Sequence, residues 1–156
     1  MARRISHVGV IVRNIEEALE VYVKILGFRP PPAGIIEVPE MGVKSALLPI
    51  GNNYIELLES TDPNNMTSQV LEQRGEGLLH IAIEVDDVSA EVKSLQERGV
   101  EVVDVPPAGE VVDYHSAFVL PDSAKGVPLE LVPKGIAHKS QRKRLGLEEI
   151  DAPLPE

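Results

Sequence analysis

The sequence predicts an α+β fold in which two pseudo-symmetric β-α-β-β-β modules, at 5–60 and 78–133, form one curved mixed sheet. Three observations predict it. His7-Val8-Gly9-Val10-Ile11-Val12 and His80-Ile81-Ala82-Ile83-Glu84-Val85 match His for His, and nearly always apolar for apolar, at an offset of 73 (80 − 7). Tyr54-Ile55-Glu56-Leu57-Leu58 and Pro128-Leu129-Glu130-Leu131-Val132 match at an offset of 74 (130 − 56). Between the matched stretches, both halves carry the same order of helical and extended patterns.

Ile5 to Val12 reads as a strand rich in β-branched residues, with His7 near its start. Asn14 can cap a helix, and Ile15, Ala18, Leu19, Tyr22, Ile25 and Leu26 recur at spacings of three and four, an amphipathic stripe that Gly27 stops. Pro30-Pro31-Pro32-Ala33-Gly34 is a loop, Ile35 to Val38 and Val43 to Ile50 are strands, and Gly51-Asn52-Asn53 is a hairpin turn into Tyr54 to Glu59. Thr61-Asp62-Pro63-Asn64-Asn65 breaks the pattern and joins the modules, with a short helix over Ser68 to Arg74. His80 to Val85 repeats the first strand. Val88, Val92, Leu95 and Gln96 then mark a second helix, and Gly99 stops it as Gly27 stopped the first. Val100 to Val105, Val111 to Leu120 and Pro128 to Val132 supply the remaining strands.

With 156 residues, 43% of them hydrophobic, the chain can bury one core, read as a single domain over 1–135 followed by a C-terminal extension, 136–156. No apolar run reaches the length of about 18 that spans a bilayer, and Met1-Ala2-Arg3-Arg4 leads straight into a strand, so no membrane partner and a cytoplasmic address are expected. A net charge of −10 argues against nucleic-acid binding, which needs clustered cations. One basic cluster, His138-Lys139-Ser140-Gln141-Arg142-Lys143-Arg144, lies in the extension and reads as a solvated tail. The absence of Cys excludes disulfides, thiolate metal sites and cysteine nucleophiles, so nitrogen and oxygen must hold any metal.

Glu56 is the informative residue. A carboxylate between Ile55 and Leu57-Leu58 is costly to bury unless it is paired, protonated or metal-bound, and the same holds for Glu130. Two modules packed about a pseudo-twofold axis bring one His and one Glu from each half together. If the modules pack in this way, the set expected to converge is His7, Glu56, His80 and Glu130. Imidazole nitrogen with carboxylate oxygen suits Co²⁺, Mn²⁺, Ni²⁺, Zn²⁺ or Fe²⁺ rather than Ca²⁺. Four protein ligands leave two octahedral positions for a bidentate oxygen substrate, on which the metal would act as a Lewis acid.

The paired modules with His, Glu, His and Glu resemble the vicinal oxygen chelate superfamily, glyoxalase-like in fold. Within it the chain is similar to the methylmalonyl-CoA epimerases. The likeness runs from about Ile5 to Val132. It is carried by Ile5-Ser6-His7-Val8-Gly9, Gly42-Val43-Lys44, Leu48-Pro49-Ile50-Gly51, Ile55-Glu56-Leu57-Leu58-Glu59, Arg74-Gly75-Glu76-Gly77-Leu78 and Gly126-Val127 leading to Leu129-Glu130-Leu131. The resemblance implies that His7, Glu56, His80 and Glu130 are the metal ligands. It further implies a divalent ion, Co²⁺ first and Mn²⁺, Ni²⁺ or Zn²⁺ as alternatives, an acyl-CoA substrate and a homodimer. The chain departs from the epimerase pattern where Leu79 and Leu120 replace histidines, and where Ser45 stands near a further, non-ligand Glu of some members.

The implied activity moves the α-proton of methylmalonyl-CoA, or of a close malonyl-type thioester, while metal chelation stabilises the enolate oxygen. Inversion needs an acid and a base on opposite faces of the reacting carbon. Glu130 is the expected carrier on one face; Glu37, Glu40, Lys44 and His115 are candidates for the other. The alternatives are a lactoylglutathione lyase and a metal-free binding member of the same superfamily, though 3% aromatic residues are thin material for a binder's pocket.

Overall fold

The computed structural model describes residues 4–107, 109 and 112–136, so the basic cluster and the extension from 137 onward lie outside the described residues. Strand β1, Arg4–Ile11, is followed by helix α1, Ile15–Leu19, capped by the Asn14 side chain, which accepts from the Glu17 N–H at 2.8 Å. The helix does not end as the apolar spacing predicts. Glu20–Ile25 widens into π-helical turns, with the Leu26 N–H donating to the Val21 carbonyl at 2.9 Å, before Gly27 turns the chain at φ 76°. The wider turn rotates the stripe. Tyr22 and Val23 join Ala18 and Leu19 on the core, while Ile25 and Leu26, expected inside, are 75% and 57% exposed.

Strand β2 (Ile36–Val38), a 3-10 turn (Pro39–Met41), β3 (Val43–Ile50) and β4 (Asn53–Ser60) complete the first half. The connection carries α2, Met66–Arg74, capped by Asn65 and so starting earlier than the expected Ser68. The second half holds β5 (Gly77–Val85), α3 (Val88–Glu97, capped by Asp87), β6 (Val102–Val105), β7 (Ser116–Val119) and β8 (Leu129–Pro133). β7 is shorter than the expected 111–120. Val112 instead packs across onto Val38, Val43 and Leu58 of the first half, burying its side chain there rather than in an extended strand.

All eight strands form one curved mixed sheet in the order β2-β3-β4-β1-β5-β8-β7-β6. β1 and β5 run antiparallel at its centre, and each pairs in parallel with the last strand of its own half, β4 or β8. The two halves are thus arranged alike about a pseudo-twofold axis between β1 and β5. The helices cover one face: Ile15 of α1 on Ala46, Leu48 and Leu57, and Val88 and Val92 of α3 on Val85, Ala117 and Leu131. The other face curves around a cavity of about 400 Å³. No helix among the described residues is long and apolar enough to cross a membrane.

Candidate metal centre

The central register determines which side chains meet. Gly9 of β1 lies between Glu56 of β4 and His80 of β5, and Ala82 of β5 lies between His7 of β1 and Glu130 of β8. Two small residues therefore sit at the middle of the sheet, and the four larger side chains close over them. Pairing between β1 and β5 slips by one residue at Ser6 and again at Leu79, each directly before a central histidine. Such bulges re-aim the side chains beside them.

The four side chains converge. His7 Nε2 lies 3.1 Å from His80 Nε2, 3.3 Å from Glu56 Oε2 and 3.3 Å from Glu130 Oε2, and His80 Nε2 lies 3.3 Å from Glu130 Oε2 and 3.7 Å from Glu56 Oε2. Two atoms each about 2.1 Å from a shared ion stand about 3.0 to 3.4 Å apart at right-angled or tetrahedral geometry. Four of the five spacings fall in that range, with His80 to Glu56 at 3.7 Å somewhat longer, and His7, Glu56 and His80 form a group able to hold a metal ion. Both imidazoles are buried; the His80 ring stands edge-on to His7, with ring centres 5.2 Å apart, and to Phe118 at 5.8 Å.

Two contacts hold this arrangement. A Cβ on Gly9 would come 2.4 Å from His80 Cε1, so only glycine leaves room for the ring to lie across β1. On β3, Ser45 Oγ donates to Glu56 Oε1 at 2.7 Å. Burial opposes a charged imidazole at His7, but the Glu56 and Glu130 carboxylates outweigh it and raise His7 to about 10. Burial likewise penalises the charged form of Glu56 and Glu130, and the two histidines override it, pulling both carboxylates below the usual range. A cluster that retains positive charge this strongly has the electrostatics of a cation site, and its nitrogen and oxygen donors suit a first-row divalent ion. Around it the cavity wall is largely apolar, with Leu58, Leu79, Val112 and Phe118 near the cluster and one face of α2, through Met66, Val70 and Arg74, on one side.

The profile of the Glyoxalase/Bleomycin resistance protein/Dioxygenase superfamily matches residues 6–118. The chain belongs to this superfamily. Its relatives include the mitochondrial methylmalonyl-CoA epimerase of Homo sapiens, 31% identical over 133 residues, which covers 82% of this chain and 72% of that protein. The uncharacterized protein YqjC of Bacillus subtilis is 30% identical over 136 residues, covering 86% and 96%. A solved structure of Streptomyces coelicolor methylmalonyl-CoA epimerase in complex with 2-nitronate-propionyl-CoA matches with a TM-score of 0.76 at 29% identity, covering 85% of this chain and 95% of that one. These likenesses indicate an epimerase-like isomerase with the glyoxalase-like fold of the superfamily.

Of the four candidates for the second proton carrier, three face away from the cavity. Lys44 Nζ is drawn to the helix side, 3.2 Å from Glu59 and 3.5 Å from Glu16 of α1. Glu37, its register partner on β2, is exposed. His115 Nε2 meets Asp104 at 2.6 Å, and its Nδ1 lies 3.3 Å from Ser89 of α3, again on the helix side. Glu40 is also exposed and does not itself line the cavity; its carboxyl lies beside Gly109, and the next residue, Met41, lines the cavity. Side-chain alternation along β3 decides Lys44, since Val43, Ser45 and Leu47 take the cavity face.

Sequence reasoning passed over Gly9, the Ser45 contact and Glu84. A glycine inside an otherwise β-branched strand is a legible sign of close approach. Glu84 shares the parity of His80 and Ala82, and it is 1% exposed, held by Arg4 Nε at 2.7 Å and Nη2 at 3.2 Å.

Proposed function

We propose that this chain is a divalent-metal-dependent epimerase that moves the α-proton of methylmalonyl-CoA or a close malonyl-type acyl-CoA, with His7, Glu56, His80 and Glu130 holding the ion. One observation carries the reading: two imidazole Nε2 and two carboxylate Oε2 atoms, separated by 3.1 to 3.7 Å in the pairs above, meet at an apolar cavity in a chain of this superfamily. When bound, the ion, with Co²⁺ the first expectation and Mn²⁺, Ni²⁺ or Zn²⁺ the alternatives, supplies a Lewis acid that draws charge from carbonyl oxygen beside the reacting carbon.

The side chains do the rest. Leu58, Leu79, Val112 and Phe118 keep water from the reacting carbon, which strengthens every charge interaction around it. Arg74, the one guanidinium lining the cavity among the described residues, offers a fork of donors to an anionic group of the thioester. Glu130 takes the α-proton from one face through a carboxylate oxygen. Glu40, whose neighbour Met41 lines the cavity, returns a proton from the other, as inversion requires.

The test is isotope exchange. Methylmalonyl-CoA in D₂O is expected to gain deuterium at C2 with the metal-loaded protein, to stop doing so after chelator treatment, and to resume on restoring the ion. A thioester lacking the free carboxylate is expected to exchange far more slowly. Turnover of the glutathione hemithioacetal of methylglyoxal in place of exchange would make the protein a lyase, and binding without turnover of either would make it a binding protein. Metal-loaded protein that exchanges no acyl-CoA α-proton ends the epimerase reading.

A further inference from the structure

We infer that Ser45 is a positioning residue for this centre, fixing Glu56 so that Oε2 faces the two histidines. The inference rests on the metal-holding role proposed above for Glu56. A glutamate's last torsion is broad and soft, so a carboxylate presents one particular oxygen only when something occupies the other. Ser45 does this from the neighbouring strand. Leu47 of β3 pairs with Glu56 and Ser45 with Leu58, which brings the serine onto the same face one pleat along. Its hydroxyl donates to Oε1 at 2.7 Å, while Oε2 stands 3.3 Å from His7 Nε2 and 3.7 Å from His80 Nε2. Ser45 is 3% exposed, so little water competes for the bond.

The repeat supplies its own control. In the second half Phe118 pairs with Glu130 as Leu47 pairs with Glu56, so the residue equivalent to Ser45 is Ser116. Ser116 is also 3% exposed, yet among the described residues no hydroxyl bonds to Glu130, whose contacts are the two histidines at 3.3 Å. A buried serine at this position therefore does not engage its carboxylate merely because the fold repeats. The tether belongs to Glu56. It leaves Glu56 a fixed ligand and Glu130 the carboxylate that can rotate.

A double-mutant cycle read by ion affinity tests this. Cobalt affinity is measured by competition with a chromophoric chelator for the parent, Ser45→Ala, Glu56→Ala and the double variant, with circular dichroism and metal-free thermal unfolding to check the fold. Ser45→Ala is expected to weaken binding about 10- to 100-fold. Ser45→Thr, which keeps the hydroxyl, is expected to restore most of it, and Ser116→Ala to bind like the parent. Once Glu56 is alanine, removing Ser45 is expected to cost nothing more, because the two act as one unit. If Ser45→Ala does not fold, Ser45→Cys, close in volume but a weak donor, makes the same comparison. Parental affinity in Ser45→Ala or Ser45→Cys, or additive losses in the cycle, overturn the inference and leave the metal-dependent reading standing. A parent chain that takes up no divalent ion overturns both.

Discussion

The two halves of the sheet deliver the same pair of residues to the centre, yet they are built differently around them. Glu56 lies beside Leu47 and is tied by Ser45, whereas Glu130 lies beside Phe118 with its serine unengaged. Gly9 leaves room for a histidine ring where Ala82 occupies the equivalent position. Ile11 in the first half corresponds to Glu84 in the second, which is buried and paired with Arg4 Nε at 2.7 Å. The first helix widens into π-helical turns, and α3 does not. The halves therefore agree where four donors must meet and differ wherever only one half's packing is at stake. One reaction that needs unlike groups on the two faces of a carbon is better served by this than by exact symmetry.

The largest expected effect tests the unlike carboxylates directly. Glu130→Gln keeps an oxygen donor but cannot carry a proton, so deuterium exchange is expected to fall about 10²- to 10⁴-fold with metal content largely retained. Glu56→Gln is expected to lose much less. Equal losses in the two variants, measured by mass spectrometry of the thioester and metal analysis of the protein, would erase the distinction between the halves.

The central small residues come next. Gly9→Ala drives a methyl into His80, which is enclosed by His7 and Phe118, and is expected to lower cobalt affinity about 10- to 100-fold. Ala82→Gly opens no clash and is expected to cost about 1 kcal/mol of stability through backbone entropy, with affinity nearly unchanged. Chelator competition and urea unfolding separate the two. A Gly9→Ala protein that binds cobalt like the parent would show that the ring has room elsewhere.

Arg4→Met addresses a difference in stability rather than chemistry. It strands Glu84 in the sheet, and breaking a buried pair from one side typically costs about 3 to 5 kcal/mol; because Arg4 is itself half-exposed, about 2 to 3 kcal/mol is expected in urea unfolding. Restoring the apolar character of the first half with Arg4→Met and Glu84→Ile together should recover much of the loss. The smallest effect belongs to Ser116→Ala. Removing a buried hydroxyl that has no partner among the described residues is expected to be neutral or to stabilise by up to about 1 kcal/mol, and a clear destabilisation would reveal a bond that Ser116 makes.

Much of this was legible before any coordinates. The duplicated His and Glu, the strand and helix order, the capping role of Asn14 and the stops at Gly27 and Gly99 are local or repeated signals, and each depends on residues near one another in the chain. The apolar setting of Glu56 was enough to mark it as a carboxylate needing a partner, because the cost of burying a charge does not depend on which fold buries it. Less legible was the end of the first helix: Ile25 and Leu26 fit a regular stripe, but the π-helical turns rotated them outward. Likewise Lys44 and His115 looked as available as Glu40 until pairing with α1 and α3 turned them to the helix side.

What the sequence determined by itself is which residues are available in duplicate: an imidazole and a carboxylate in each half, on strands too apolar to lie in water. What only the tertiary structure decided is how they face one another. The antiparallel contact of β1 with β5 sets Gly9 against His80, and the slips at Ser6 and Leu79 lie just before the two histidines. The pairing of β3 with β4 brings Ser45 to Glu56, while the like pairing of β7 with β8 leaves Ser116 without such a bond to Glu130 among the described residues. The reason is physical. Alternation along a strand is a local property, whereas register, bulges and cross-strand hydrogen bonds arise between separate strands, 11 residues apart for Ser45 and Glu56 and 73 for His7 and His80, and are settled only when those strands pair.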